Sequence, residues 1–474
     1  MLFNSIEFVL YFAVVVILYW GIFNHLSVRL RNLFILATSY FFYACWDYRF
    51  LSLIVLSSLV DFLCGKYIHK TKTLRLKRLF LFISLSVNLG ILFFFKYYGF
   101  FAHELANLLD KLGYSLHQTD LNIILPVGIS FYTFQTLSYT IDIYRKKLKP
   151  TEDALTFFSF VSFFPQLVAG PIERAKHLLP QFNTLKKFDY SNAANGFRQL
   201  LWGFFAKIAV ADSVSPIVDT IFAQHESLNA GTLLFGAILF SIQIFGDFSG
   251  YSNIAIGTAS ILGFDLMQNF KIPYFSRNIK EFWSRWHISL STWFRDYVYI
   301  PMGGNRCSKS KHILNIMITF TVSGLWHGAN WTFLIWGVIH GLFYLLSLPF
   351  SNKEKSTQLQ LKQWPAMLTT FLIVTFAFVI FRSTDIGQAW NFLTRIVLMK
   401  KGLNIFQLVS LSKIIPAILF SITLFVCEWH FRNKRHGLDI VLHKLIVRRA
   451  IYYLIVFSIL FSFQSNRIFI YFQF

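Results

Sequence analysis

Three histidines, His287, His327 and His340, stand in or beside tryptophan-rich apolar sequence between Phe282 and Gly341. The stretch opens FWSRWHISLSTWFRDYVYIPMGGNR (Phe282 to Arg306) and closes FTVSGLWHGANWTFLIWGVIHG (Phe320 to Gly341), so Arg285, Arg295 and Asp296 share it. An imidazole kept neutral by apolar surroundings can take a proton near neutral pH. Ionisable groups at membrane depth are expensive, which makes them functional candidates by default. His327 sits in GLWHGANW, where Gly324, Gly328 and Ala329 leave room for a ligand chain and Asn330 carries a hydrogen-bond donor. His287, forty residues earlier, reads either as an interfacial anchor beside Trp286 or as a second functional group. Arg285, Arg295 and Asp296 form either an interfacial ion-pair network or a grip on a phosphate-bearing donor. His340, thirteen residues beyond His327, reads as a packing residue.

Other chemistries lack their motifs. There is no nucleotide P-loop, no Rossmann glycine pattern and no HExxH. Ser323 lies four residues before His327, but the strand-to-helix elbow of a serine hydrolase is absent. Cys45, Cys64, Cys307 and Cys427 have neither metal-ligand spacing nor a disulfide framework; three lie in or near apolar runs, which favours buried free thiols. The remaining chemistry is histidine-assisted transfer of an activated group to a hydroxyl.

The rest of the chain has to hold this stretch in a bilayer. Hydrophobic residues make up 55% of the 474 and charged residues only 14%, against roughly 25% charged in a soluble domain. That composition predicts an all-α polytopic membrane protein of about ten to twelve spans. The net charge of +22 lies in short loops between apolar runs, as the positive-inside rule requires, and no basic stripe suggests a nucleic-acid partner. Lys66 to Arg78, Arg145 to Lys149 and Arg432 to Arg449 read as cytoplasmic, with the Glu104 to Asp120 segment and both termini outside. The first apolar run, Phe8 to Phe23, has no basic leader or cleavage site and reads as a retained span.

Short runs at Asn32 to Trp46 and Leu51 to Leu63 predict a tight helical pair joined at Asp47-Tyr48-Arg49. Phe157 to Phe182 contains Pro165, Gly170 and Pro171 and predicts a broken or re-entrant element. Thr232 to Gly263 is too long for one straight span and reads as interrupted at GDFSGYSN (Gly246 to Asn253), where Asp247 is a second intramembrane acid. Lys271 to Arg306 predicts amphipathic helices lying at the interface or dipping into it. No long linker or repeat divides the chain, which reads as one domain, 1–474.

SFFPQLVAGPIERA (Ser162 to Ala175), FGDFSGYSNIAIG (Phe245 to Gly257) and the two histidine motifs together resemble the membrane-bound O-acyltransferase (MBOAT) family. The branch is that of bacterial alginate O-acetylation and D-alanyl transfer proteins, and the likeness is to the alginate type. The resemblance covers roughly Ile124 to Leu342. It implies a ring of helices around a thin centre pierced by a tunnel, with the family's near-invariant histidine at His327 and an assisting one at His287. It implies passage of an acyl group from a cytoplasmic thioester donor, acetyl-CoA by expectation, to a polysaccharide hydroxyl or a partner outside. No bound cofactor and no metal are expected.

The expected substrate-contacting set is Asn330, Trp326, Arg285, Arg295 and Asp296. Arg285, Arg295, Lys280 and Arg306 are expected on the donor side. Expected partners are membrane lipids, the thioester donor, the polysaccharide acceptor and periplasmic or membrane-anchored acetylation proteins in a bacterial inner membrane. Peptidoglycan or teichoic-acid acylation, lipid acylation and proton-coupled transport are the alternatives, the last weakened because transporters commonly carry internal repeats.

Overall fold

The structure is a computed structural model that describes residues 1–114, 123–351, 359–439, 445–464 and 469. Its described regular elements are helices, joined by short turns and one isolated β-bridge between Leu228 and Leu403. Nine helical stretches among the described residues are long and apolar enough to cross a membrane. Asp120 and Lys444, two positions of the expected loop assignments, lie outside the described residues.

The chain gathers into two compact units, residues 1–193 with 259–266 and residues 194–258 with 267–474. In the first unit, the helical pair predicted as short is not short. Val28–Asp47 and Leu51–Lys70 are each 20-residue helices joined by a single 3₁₀ turn at Tyr48–Phe50. At 1.5 Å per residue each reaches about 30 Å, a full hydrocarbon thickness. Polar residues extend them past the apolar runs, with Ser27 capping the Leu30 amide and Lys70 closing the second helix.

A polar knot ties three helices of this unit. Buried Asp61 accepts hydrogen bonds from Ser84 Oγ, from Asn88 Nδ2 at 2.8 Å and from Thr140 Oγ1 at 2.6 Å. Without water to satisfy such groups, the protein must do so internally. Arg31, fully buried, is held the same way by the carbonyls of Phe182 and Thr184. The expected break in Phe157 to Phe182 is present: Ala154–Ser162 ends before a single turn, Phe164–Leu167, with Pro165 in its first positions.

In the second unit the expected interruption at GDFSGYSN is absent. Ala230–Ile261 is one helix of 32 residues. The glycines serve a different purpose, close approach of the neighbouring backbone. A Cβ on Gly246 would lie 2.9 Å from Ala206 O, one on Gly250 2.8 Å from Gly203 O, and one on Gly257 2.6 Å from Gly196 O. Small residues at such contacts are the usual means of packing helices in lipid. The facing segment runs Tyr190–Phe204, a π-helical stretch Phe205–Ala211, and Asp212–Ala223. Across this contact Lys207 Nζ reaches Asp247 Oδ1 at 2.7 Å and Asp212 Oδ1 at 2.8 Å, all three buried.

Candidate functional site

The Lys271 to Arg306 stretch folds as two short helices, Ile279–Arg285 and Ile288–Phe294, followed by a π-helical turn Arg295–Tyr299. The first is started by Asn278, whose side chain accepts from Glu281 N. The break between them is His287, in the left-handed region at φ 44° and ψ 53°. A branched-ring residue there carries strain of about 1 kcal/mol or more, which persists only where surroundings over-determine it. Asn269 does so: its carbonyl accepts from Ile288 N at 2.9 Å, and its Oδ1 accepts from Ser289 N at 3.2 Å and Ser289 Oγ at 2.9 Å. Its own amide donates to Ser252 Oγ at 3.2 Å.

His327 is the last residue of the helix Lys309–His327, which stops because Gly328 turns to extended backbone. The chain reverses into Trp331–Ser351, and the two helices pack as a hairpin. The small residues around His327 do not open space for a ligand, contrary to the expectation. A Cβ on Gly324 would collide with Phe333 O, one on Gly337 with Phe320 O, and one on Gly328 with the Phe333 ring. They let the helices touch, and that contact holds His327.

Folding brings His287 and His327 together, with ring centroids 6.5 Å apart. His287 is 0% and His327 4% exposed. Aromatic rings enclose both. Phe248 stands 4.6 Å from His287, and Trp326, Trp336 and Phe381 stand 5.0, 5.1 and 5.4 Å from His327. Burial pushes the His287 pKa down to about 3, so this imidazole stays neutral across the physiological range. His340 continues the aromatic file, 4.7 Å from Trp336 and 5.1 Å from Trp283.

A cavity of about 380 Å³ lies beside this file, with Trp283 and Ser323 in its wall. Neither histidine of the pair lines it; Ser323 is one helical turn before His327. Its polar lining includes Lys280, Ser284, Ser291, Thr292 and Arg295, and its apolar lining includes Phe294, Ile316 and Phe320. Buried Trp283 Nε1, Trp336 Nε1, Thr332 Oγ1 and both His340 nitrogens have no hydrogen-bond partner among the described residues.

The remaining sequence candidates separate. Trp326 is part of the enclosure. Arg295 lines the cavity and pairs with Asp296 at 2.9 Å. Arg285 is engaged by Glu281 at 2.7 Å, which also holds Arg277; burial lowers the Arg285 pKa, and Glu281 opposes that shift. Asn330 caps the next helix, its Oδ1 accepting from Thr332 N and its amide donating to Thr384 O at 2.8 Å. Arg306 does not line the cavity. Sequence reading missed Asn269 and Lys207. A lone lysine in an apolar run was a usable signal for Lys207; nothing local marks Asn269.

The sequence profile of the membrane-bound O-acyltransferase family matches residues 145–390, just over half the chain. The chain belongs to this family. It is 39% identical over 380 residues to a probable alginate O-acetylase of Azotobacter vinelandii, covering 79% of this chain and 74% of that one. It is 35% identical over 408 residues to a peptidoglycan O-acetyltransferase of Helicobacter pylori (81% and 76%). A teichoic acid D-alanyltransferase of Bacillus subtilis is more distant, 29% identical over 280 residues (56% and 69%). The protein is thus a multi-pass membrane O-acyltransferase, as its histidine motifs indicated.

Proposed function

We propose that this O-acyltransferase acetylates hydroxyls of an alginate-like polysaccharide at the bacterial inner membrane, with His327 as base and His287 assisting. The observation that carries the reading is the convergence of two histidines from distant segments inside one aromatic enclosure. Support for the acceptor comes from relatives named as alginate O-acetylases over most of the chain.

The acceptor hydroxyl gives its proton to the His327 imidazole as its oxygen attacks the thioester carbonyl. The tetrahedral intermediate collapses, the C–S bond breaks, and the departing thiolate takes the proton from the imidazolium. A general base supplies about 10²–10⁴-fold of such a rate. Alignment and exclusion of water must supply the rest, because hydrolysis competes. The oxyanion needs a donor, and Trp336 Nε1–H suits it more than Asn330: the Asn330 amide already donates to Thr384 O, while the Trp336 ring lies 5.1 Å from His327 and its N–H has no other partner among the described residues. The donor is a thioester, by its chemistry acetyl-CoA, entering from the cytoplasm. Lys280 and Arg295 in the cavity wall suit its phosphates. The basic segments at Lys66 to Arg78, Arg145 to Lys149 and Arg432 to Arg449 support a reading with these loops cytoplasmic and both termini outside, the side on which a membrane-anchored or periplasmic partner would meet the polymer.

The test is transfer of a labelled acetyl group by detergent-purified protein to alginate and, in parallel, to peptidoglycan. His327→Ala and His327→Gln should abolish transfer while the protein remains monodisperse and folded. Specific activity near that of the parent in folded His327→Ala would overturn the reading.

A further inference from the structure

The first unit carries a groove unrelated to the histidine site. It has a volume of about 660 Å³ and lies between the end of the first membrane helix and the segment Leu185–Phe188. Trp20 sits in a π-helical turn, Tyr19–Phe23, within the candidate span Ile6–Leu26. Such irregular turns are frequent at functional sites. Its position near the span's end, with exposed Phe188 opposite, is that of an aromatic belt at the membrane–water boundary.

The walls are fixed. Asn24 Nδ2 donates to Lys186 O at 2.7 Å, Lys186 N donates to Asn24 Oδ1 at 3.1 Å, and Trp20 Nε1 donates to Ile261 O at 3.0 Å. Trp20 and Phe188 meet edge to face at 5.2 Å. Into this frame project three basic groups, His25, Lys186 and Lys187. None has an acidic partner within ion-pair distance among the described residues. Asp189, next in sequence, is engaged as a helix cap by Ser191 N and Asn192 N. Lys186 is half-buried, with Nζ 4.7 Å from the centre of the Phe264 ring, and burial, then Arg31, lowers its pKa to about 8. A desolvated cation of this kind gains from an anion brought close to it.

The groove is not only basic. Toward the bilayer the same helix exposes Val14, Ile17 and Ile22, and Leu185 is exposed in the groove wall. Cationic groups at the boundary with an apolar surface running inward match one ligand chemistry, an anionic head joined to hydrocarbon chains. We propose that this groove is a binding site for an anionic glycerophospholipid, its phosphate on Lys186 and Lys187 and its chains along the first helix.

The test uses full-length protein in a neutral detergent, titrated with phosphatidylglycerol or phosphatidylcholine and read by native mass spectrometry as bound lipid per protein. Phosphatidylglycerol should bind the parent in preference to phosphatidylcholine. Lys186→Gln with Lys187→Gln should lower that affinity roughly tenfold or more, since each lysine beside an anionic headgroup is worth about fivefold. Arg75→Gln, a charge removal in another basic segment, should leave it unchanged. Lys187→Glu alone, at an exposed side chain, keeps the test open if the double variant does not fold, and should also weaken binding. Equal retention of both lipids, unchanged retention in the lysine variants, or displacement of lipid by millimolar inorganic phosphate would each overturn the proposal.

Discussion

Asn269→Ala should disable the enzyme without touching either histidine. The Asn269 side chain makes three hydrogen bonds, to Ser289 N, Ser289 Oγ and Ser252 Oγ, at a position that is 0% exposed. Each is worth about 1 kcal/mol net, so their loss removes about 3 kcal/mol from the structure around the His287 turn. That exceeds the strain of roughly 1–2 kcal/mol stored in the left-handed backbone of His287, which is then free to relax. If half or more of the loss appears as misalignment in the transition state, kcat falls by about 10- to 100-fold. The assay is initial-rate acetyl transfer with donor and acceptor varied separately, on protein matched for monodispersity. The expected pattern is a fall in kcat larger than any change in KM, with a lowered thermal midpoint. Asn269→Asp, which keeps the acceptor for Ser289, should recover part of the rate. Specific activity of folded Asn269→Ala within twofold of the parent would refute the reasoning, because His287 would then not depend on this anchor.

Gly324→Ala or Gly337→Ala should force the Lys309–His327 hairpin apart, because each new Cβ meets a carbonyl of the facing helix; activity should fall more than tenfold, with a lowered thermal midpoint by light-scattering melts. Lys207→Met leaves Asp212 and Asp247 buried without their cation. That should cost about 3–5 kcal/mol, seen as lost expression or a sharply lowered midpoint, and restoration of stability by adding Asp247→Asn would assign the loss to uncompensated charge. His177 hydrogen-bonds buried Glu173, and that partner, followed by Asp265, raises its pKa above the ordinary value. A raised folded-state pKa stabilises fully below the unfolded value, and the contribution is lost as pH rises through the folded one. The midpoint of the parent should therefore decline from mildly acidic to alkaline pH, and His177→Gln should flatten that slope.

The membrane class, the broken Phe157 to Phe182 element and the acyltransferase family were legible in the sequence. Hydropathy reports a span directly, because the bilayer leaves so few ways to satisfy a backbone. A histidine amid tryptophans stands out because ionisable groups at that depth are rare. Lengths were read less well: Val28–Asp47 and Leu51–Lys70 extend beyond their apolar runs because caps and polar ends also propagate a helix.

Only the tertiary structure decided what the glycines do. Gly246, Gly250, Gly324 and Gly337 look alike in sequence whether they break a helix, line a channel or admit a neighbour's backbone. The answer depends on an atom from a distant segment lying within 3 Å of the Cβ they lack. The same holds for His287 and His327. Each stood out as a candidate in its own motif, but their 6.5 Å approach, and the Asn269 anchor that holds one of them strained, are products of long-range packing that no local spacing encodes.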